Sequence, residues 1–429
     1  MKDVVIVSGA RTAIGAFGGS LKDVSAIEMG ALVMREVFKK INLKPVISGD
    51  QHSIAPDKLK SQGQLELEKN GYKYDSNARE ISVDESIMGC VLQSAQGQNP
   101  ARQASIYAGI PKEAPACTIN KVCGSGLKAI TMGAQAIMTG QADVIVAGGM
   151  ESMSNAPFAL KKARWGHRME LTGTGDIHDL MVFDGLYEIF NGYHMGITAE
   201  NIASLYGISR EEQDKLGVLS HQRAMAAIKN GLFKDEIVPV VLPSKKGDII
   251  VDTDERPMET SLEKMAQMKP AFKKDGTVTA GNASGINDGA AAVLMMSADK
   301  AKELGLEPII RIRSFAAGGV DPAYMGLGPV PAIRKALKLA GMTIRDLDMV
   351  EINEAFAAQA IGCFRELGLD NEFPNQLGSG ISLGHPIGCT GARMVVTAMY
   401  QMKRKNLATG VVSMCIGGGM GMAMIFERV

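Results

Sequence analysis

The sequence predicts an α/β protein built from two similar halves. Three observations lead to this fold class. Glycine is abundant, at 49 of 429 residues, while aromatic residues make up only 5%. Short runs rich in Val and Ile alternate with longer helical patterns, which is typical of parallel sheets covered by helices. The order helix, strand, glycine cluster and methionine also occurs twice along the chain.

The apolar runs predict strands, several of which are too apolar to leave one face in water. These strands are residues 4–7, 86–89, 144–147, 290–296, 309–314, 349–353, 411–416 and 422–426. Helical periodicity predicts helices at residues 26–41, 100–109, 126–139, 199–206, 210–230, 332–340, 354–367 and 391–405.

The internal repeat lies in two segments far apart in the chain. Residues 123–126 (CGSG) open a helix that is followed by the strand and glycine cluster of 144–150, and residues 388–391 (GCTG) open one that is followed by 411–420. Chance similarity is the alternative for so short a match. A true repeat predicts two facing α/β halves whose equivalent loops converge on one site.

The repeat indicates an N-terminal half and a C-terminal half of the chain. Between them, residues 152–285 form a polar, loop-rich stretch that we interpret as a domain covering the substrate. Residues 46–76 are polar and have no long apolar face, which indicates an insertion at the surface or an extra hairpin.

Composition and charge exclude several classes of protein. With 46 basic and 46 acidic side chains, the chain has no broad field for nucleic acid or an anionic membrane, and no run of 18 apolar residues occurs. The six cysteines show no CxxC spacing, so we expect reduced thiols rather than a metal site or a disulfide scaffold. The absence of a signal-like N-terminus and of a C-terminal address predicts a cytoplasmic protein.

Cys123 is the strongest candidate for a nucleophile. It precedes a helix in the segment NKVCGSG, where the free N–H groups and the helix dipole favour a thiolate. The adjacent glycines allow a substrate to approach and leave N–H groups free for an oxyanion. The alternative is an inert, buried cysteine.

Two residues near the C-terminus are candidate partners of that cysteine. His385 can take a proton from a thiol, which suits acyl transfer, and Cys415, at a strand end before three glycines, can serve as an acid or base. Asn353 ends a predicted strand, where an N-cap of the next helix is the simpler interpretation and a functional role remains open. His194 precedes a helix and is by default a satisfied turn histidine.

Seven motifs that stand in order along almost the whole chain, outside residues 46–76, resemble the thiolase family. They are NKVCGSG (120–126), GGMESMSNAP (148–157), GYHMGITAEN (192–201), NASGINDGAA (282–291), NEAFA (353–357), GHPIGCTGAR (384–393) and CIGGGMG (415–421). The resemblance implies a thiolase fold, with two βαβ-based halves in five layers, αβαβα, and a loop domain. It implies an N-terminal half at residues 1–151 with a return at 286–308, a loop domain at 152–285 and a C-terminal half at 309–429.

The resemblance also implies a two-step acyl transfer between coenzyme A thioesters. His385 activates Cys123, which takes the acetyl group. Cys415 then removes the α-proton of a second acetyl-CoA. Asn353, through a water molecule, and His385 hold the enolate oxygen. The backbone N–H groups of Cys123 and Gly417 hold the tetrahedral oxyanion.

Further positions follow from the resemblance for the binding of coenzyme A. The resemblance places Ser284 near the pantetheine. It places five residues along the acyl pocket, namely His194, Met195, Leu186, Ala280 and Phe356. Arg256 is the candidate cation for the nucleotide phosphate, although its local spacing does not match the family cleanly. No metal and no bound cofactor are implied, since acetyl-CoA, acetoacetyl-CoA and CoA are substrates and products. A homodimer or homotetramer is expected.

The leading hypothesis is a biosynthetic thiolase that acts on short acyl chains, because GYHMGITAEN accompanies such substrates in the family. The alternatives are a degradative 3-ketoacyl-CoA thiolase for longer chains and a catalytically silent scaffold with the thiolase fold. A ketoacyl synthase also uses a cysteine nucleophile, but Cys415 as a second reactive thiol argues against it.

Overall fold

Strands and helices alternate along the chain in a computed structural model that describes residues 1–167 and 176–429. The strands are β1 (Val4–Arg11), β2 (Gly15–Ala16), β3 (Leu43–Pro45), β4 (Arg79–Ile81), β5 (Glu85–Gly89), β6 (Ala116–Ile119), β7 (Val144–Ser152), β8 (Phe158–Leu160), β9 (Ile177–Asp179), β10 (Tyr187–Glu188), β11 (Tyr193–His194), β12 (Val240–Leu242), β13 (Ile249–Val251), β14 (Asn287–Ser297), β15 (Ile310–Gly319), β16 (Met349–Ile352), β17 (Thr409–Ile416) and β18 (Met420–Arg428). The helices are α1 (Ala26–Lys39), α2 (Gly49–Ile54), α3 (Glu66–Gly71), α4 (Pro100–Tyr107), α5 (Ser125–Met138), α6 (Met195–Tyr206), α7 (Arg210–Lys229), α8 (Leu262–Ala266), α9 (Ala298–Glu303), α10 (Pro329–Ala340), α11 (Ala357–Leu367), α12 (Gly380–Leu383) and α13 (Thr390–Lys405).

The main sheet consists of two parts with the same topology. Within the described residues its strand order is β16, β17, β18, β15, β1, β14, β7, β5 and β6, with β2 beside β14. In one part β5 is parallel to β7 and β7 antiparallel to β14, and in the other β16 is parallel to β17 and β17 antiparallel to β18. Strands β1 and β15 carry matching register shifts, between Ile6 and Ser8 and between Ile312 and Ser314. The repeat predicted from the sequence is therefore present in the fold.

Three large buried cores lie between the helices and the main sheet. Strand β1 shows the arrangement, because Val5 and Val7 pack towards α1 and α4 while Val4 and Ile6 pack towards α5 and α13 in the centre. A third core lies between the second part of the sheet and helices α10 and α11. The sheets are thus covered on both faces, which explains the nearly continuous apolar runs and confirms the predicted αβαβα arrangement.

One strand was missed by the sequence-based prediction, and the predicted start of one helix was wrong. Strand β6 was not predicted, because its sequence ACTI is short and lacks a run of β-branched residues. The helix expected to begin at Glu354 begins at Ala357, after an N-cap at Phe356 with extended backbone. The N–H groups of Ala355 and Phe356 instead donate to Oε1 of Gln359, at 3.0 and 3.4 Å. Asn353 is therefore not a helix cap.

The middle of the chain and residues 46–76 lie outside the repeated core. The former contributes α6, α7 and short two-stranded hairpins, among them β10 with β11 and β12 with β13. Residues 46–76 carry the short helices α2 and α3, and the strands that flank them, β3 and β4, pair in parallel. Across the described residues, no helix has the length and apolar character that a membrane span requires.

Candidate active site

Loops of both halves meet where the repeat predicts. Cys123 lies between β6 and α5, and Asn353 follows β16. His385 lies between α12 and α13, and Cys415 is the penultimate residue of β17. Asn353, His385 and Cys415 are buried, whereas Cys123 keeps some exposed surface.

The turn before α5 is strained at the residue that precedes the candidate nucleophile. Val122 has a φ of 47°, a left-handed conformation that a β-branched residue rarely adopts. Its N–H donates to Oδ1 of Asn120 at 2.9 Å, and its carbonyl accepts from Oγ of Ser125 at 2.6 Å. Strain held by such bonds is typical of a position that must present one side chain. Here that side chain is Cys123.

The electrostatics of Cys123 differ from the sequence-based expectation of a lowered pKa. Burial raises the pKa of its thiol to about 11, and the nearby Glu151 adds to the shift. Hydrogen bonds from the backbone N–H groups of Gly417 and of Cys123 itself act in the opposite direction without offsetting the burial. The thiol is therefore protonated at neutral pH and needs a base.

His385 is a neutral imidazole that two neighbours hold in place. Its backbone N–H donates to Oδ1 of Asn287 at 3.0 Å, and its ring Nδ1 lies 2.7 Å from Oγ1 of Thr390. Burial, with a smaller contribution from the Arg393 guanidinium, lowers the pKa of His385 to about 3. A neutral ring is able to accept a proton from a thiol.

The side chain of Asn353 faces that imidazole, and its Oδ1 makes no hydrogen bond within the described residues. Its backbone N–H donates to the carbonyl of Ser413 at 2.9 Å, which anchors it beside β17. Its Nδ2 lies 3.4 Å from Nδ1 of His385, and its Oδ1 is buried with no hydrogen-bond partner in the described residues. A buried amide oxygen without a partner is rare and indicates a place for a water molecule or a ligand.

Cys415 and Gly417 complete the group from the end of β17. Cys415 is fully buried, which raises the pKa of its thiol well above the ordinary range, and Cys123 lies close enough to raise it further. At Gly417 a side chain would meet Met195, since a Cβ there would lie 2.9 Å from its Cε. The backbone N–H of Gly417 donates to the thiol of Cys123.

A cavity of about 590 Å³ leads to His385. Its walls are mostly apolar and include six other predicted residues, namely Leu186, His194, Arg256, Ala280, Ser284 and Phe356. Met195 is not in this wall and packs instead against Cys415 and Phe356 in a small core. His194 caps α6 by accepting the N–H of Gly196 at 3.1 Å, as expected for a satisfied turn histidine, and its ring stacks on Phe272.

Arg256 is anchored rather than free to follow a phosphate. Its Nε donates to the carbonyl of Ile381 at 2.7 Å, and its Nη2 donates to the carbonyls of Ala280 and Ala283 at 3.3 and 2.9 Å. Its Nη1 lies next to Gly285, where an added Cβ would be 2.8 Å away. The guanidinium therefore shapes the wall beside Ser284, and Nη1 is the nitrogen left for a ligand.

Glu151 was not predicted as a site residue, although it lies within the motif GGMESMSNAP. Its carboxylate accepts the N–H groups of Val91, Leu92 and Gly388 at 3.0, 3.1 and 2.8 Å, so it joins the two halves behind Cys123. Burial raises its pKa to about 7 despite these donors. A lone carboxylate in the apolar strand β7 was the signal available in the sequence.

Metal ligation has no support in the described part of the chain, where no group of three or more His, Cys, Asp or Glu side chains is arranged to hold an ion. The six cysteines, all at described positions, are free thiols.

Family comparison places both halves of the chain in one family. The model "Thiolase, N-terminal domain" matches residues 4–50 and 70–299, and the model "Thiolase, C-terminal domain" matches residues 306–428. Residues 51–69, which the first model leaves unmatched, lie within the 46–76 segment.

Individual proteins are similar over the full length. The acetyl-CoA acetyltransferases of Syntrophomonas wolfei and Cupriavidus necator are 52% and 50% identical over 430 aligned residues, with complete coverage of both chains in each comparison. A crystal structure of the Bacillus anthracis acetyl-CoA acetyltransferase is 42% identical and covers 100% of this chain and 99% of its own, with a TM-score of 0.87. A structure of an acetyl-CoA acetyltransferase from Syntrophomonas wolfei is 40% identical with full coverage of both chains and a TM-score of 0.89.

Proposed function

The chain belongs to the thiolase family and is an acyltransferase, and we propose that it condenses two molecules of acetyl-CoA to acetoacetyl-CoA and CoA, with thiolysis as the reverse reaction. Three observations carry the proposal together: Cys123 and Cys415 lie close to each other, Asn353 faces His385, and His385 lines an apolar cavity. The full-length relatives named acetyl-CoA acetyltransferase support the same activity.

The first half-reaction forms an acetyl-cysteine. Both thiols begin protonated and His385 begins neutral, in line with their shifted pKa values. His385 takes the proton of Cys123 as the sulfur attacks the thioester carbonyl, and the N–H groups of Cys123 and Gly417 stabilise the oxyanion. The departing CoA sulfur takes its proton from Cys415. The step leaves acetyl-Cys123, a charged His385 and a Cys415 thiolate.

The second half-reaction forms the carbon–carbon bond. The Cys415 thiolate removes a methyl proton from a second acetyl-CoA, and the resulting carbon attacks the carbonyl of acetyl-Cys123. Cys123 departs as acetoacetyl-CoA forms, and it recovers the proton that His385 held. Every group then has its starting proton, so two half-reactions return the enzyme unchanged.

Stabilisation of the enolate supplies the larger part of the rate gain in the second step. A thioester α-carbon is a far weaker acid than a thiol, so the strength of the Cys415 base alone does not drive the transfer. The charged His385 donates to the enolate oxygen, and Asn353 acts with it through a water molecule. The free Oδ1 of Asn353 is in keeping with such a water.

Coenzyme A enters through the cavity in this proposal. In it, Ser284 lies beside the pantetheine and Nη1 of Arg256 serves the nucleotide phosphate, while Leu186, Phe356 and Met195 limit the acyl chain. The reaction needs no bound cofactor, because thiols and an imidazole supply its acid, base and nucleophile. We also propose a homodimer or homotetramer in the cytoplasm, where the free thiols stay reduced.

Thiolysis of 3-ketoacyl-CoA esters from four to sixteen carbons tests the proposal, with Cys123→Ala as the matched control. Activity confined to the four-carbon ester supports the acetoacetyl-CoA enzyme. A broad or long-chain profile instead supports a degradative 3-ketoacyl-CoA thiolase. Absence of any activity that depends on Cys123 would support the silent scaffold.

A further inference from the structure

A short hydrogen-bonded relay lies behind the candidate base. Nδ1 of His385 is 2.7 Å from Oγ1 of Thr390, and that hydroxyl is 2.9 Å from the carbonyl oxygen of Pro386. Thr390 is the first residue of α13 and is fully buried, and His385 is 5% exposed. Solvent therefore does not compete for either bond.

The number of protons in this relay determines which ring nitrogen carries hydrogen. A threonine hydroxyl has one proton, and a carbonyl oxygen is only an acceptor. The contact between Oγ1 and the Pro386 oxygen holds that one proton, so Oγ1 has only lone pairs left for the ring. Nδ1 must then be the donor, and in a neutral imidazole Nε2 has no proton.

Two further observations agree with this tautomer. Burial and the Arg393 guanidinium lower the pKa of His385, so the ring is neutral and one nitrogen is unprotonated. The amide Nδ2 of Asn353 lies 3.4 Å from Nδ1 and 3.5 Å from Nε2, and with Nδ1 donating to Oγ1 of Thr390, Nε2 is the ring nitrogen whose lone pair can accept from this amide.

We propose that Thr390 is a positioning residue that fixes the tautomer of His385, so that all proton exchange at this imidazole passes through Nε2. The inference deepens the proposed function and rests on it for its kinetic consequence. With Nδ1 committed, the Cys123 proton arrives at Nε2, which then becomes the N–H that faces the enolate oxygen. One atom thus serves as base in the first half-reaction and as donor in the second.

Two substitutions separate the hydroxyl from the rest of the side chain. Thr390→Ser keeps the hydroxyl, and Thr390→Val keeps the branched shape without it. Thr390→Ala is a smaller second variant in case the valine enzyme does not fold, which thermal melting would reveal. Magic-angle-spinning spectra of enzyme labelled with ¹³C,¹⁵N-histidine report the protonation of each ring nitrogen, and His385→Gln identifies the signal.

We expect Nδ1–H with an unprotonated Nε2 in the wild-type and serine enzymes, and loss of this state in the valine and alanine enzymes. Single-turnover acetylation of Cys123 should fall on the order of 10- to 100-fold in the latter pair, as when outer partners of metal-bound histidines are removed. The serine enzyme should stay within about threefold of wild type, since it retains the relay.

An Nε2–H ring in the wild-type enzyme, or an unchanged spectrum in the valine enzyme, would overturn the proposal. Equal loss of acetylation in the serine and valine enzymes would also overturn it, because the hydroxyl would then not be the active feature. The spectra do not depend on turnover. An enzyme that has the expected tautomer and transfers no acyl group therefore contradicts the proposed function and not the tautomer.

Discussion

Asn353 Nδ2 lies 3.4 Å from Nδ1 of His385 and 3.5 Å from Nε2, across the gap between the loop after β16 and the loop before α13. The other polar atom of this amide, Oδ1, is buried without a partner in the described residues. The backbone N–H of Asn353 donates to the carbonyl of Ser413, and the backbone N–H of His385 donates to Oδ1 of Asn287, so both residues are held in place. The pair therefore frames a fixed polar position that a water molecule or a substrate oxygen can fill.

Replacement of Asn353 by Ala should impair condensation more than acetylation. In the proposed mechanism the amide acts on the enolate of the second acetyl-CoA and not on the attack by Cys123. Loss of one oxyanion donor lowers kcat on the order of 100- to 1000-fold in other enzymes, and we expect a loss of that order in condensation. Acetylation of Cys123 by labelled acetyl-CoA in a single turnover measures the other step, and equal losses in both would argue against the assigned role.

The pH dependence of Cys123 alkylation should reflect its raised pKa. Because burial raises that pKa to about 11, the thiolate fraction increases about tenfold per pH unit from pH 7 to pH 10. The rate of alkylation by iodoacetamide, followed by mass spectrometry of the peptide that contains Cys123, should rise accordingly. A plateau below pH 9 would show a more acidic thiol, and Cys415→Ala is the control for contributions from the second thiol.

The sequence predicted the sheet strands well because burial on both faces makes their apolar runs continuous. Val4 to Val7 is such a run, and the matching helix N-termini at Cys123 and at 388–391 marked the repeat. Strand β6 has no comparable pattern, because it is an edge strand whose residues are half-buried, whereas the opposite edge strand β16 is buried and was predicted. Patterns of this kind identify buried strands and say little about half-buried ones.

Interactions between distant segments account for the predictions that failed. The thiol of Cys123 lies at a helix N-terminus, as expected, but apolar neighbours from other loops raise its pKa instead of lowering it. The start of α11 depends on the side chain of Gln359, and the orientation of Arg256 depends on carbonyls at 280, 283 and 381. Local sequence does not contain these contacts.

Arg11 should be essential to the attachment of the middle segment. It is fully buried and donates to Asp254 from Nη1 and Nη2, at 2.7 and 3.0 Å, and to Glu236 from Nε. Without the Asp254 carboxylate, Nη2 of the buried guanidinium and the backbone N–H of Ile14 lose their acceptor, so Asp254→Ala should lower the free energy of unfolding by about 3–5 kcal/mol. Urea unfolding measures this loss.

The exposed ion pair between Lys215 and Glu211 provides the matched control. Lys215→Ala should change the free energy of unfolding by less than about 1 kcal/mol, because exposed pairs contribute little. Similar losses for Asp254→Ala and Lys215→Ala would contradict the importance of the buried network.

Glu351→Gln should make the protein's stability less dependent on pH. Burial raises the pKa of Glu351 to about 8, with Arg393 and Glu354 acting in opposite directions, and its Oε1 has no hydrogen-bond partner in the described residues. The folded state therefore keeps a proton that the unfolded chain releases near its ordinary pKa of about 4.5. The stabilisation is fully present below that value and is lost as pH rises to about 8, by at most about 1.4 kcal/mol per pH unit.

Glutamine does not titrate, so the free energy of unfolding of Glu351→Gln should equal that of the wild type near pH 4.5 and exceed it increasingly towards pH 8. Urea unfolding at intervals across this range measures the difference, and Glu372→Gln, at an exposed carboxylate, should follow the wild type. Parallel curves for Glu351→Gln and wild type would mean that Glu351 is already ionised in the folded protein, in which case its charge compensates the buried Arg393 guanidinium.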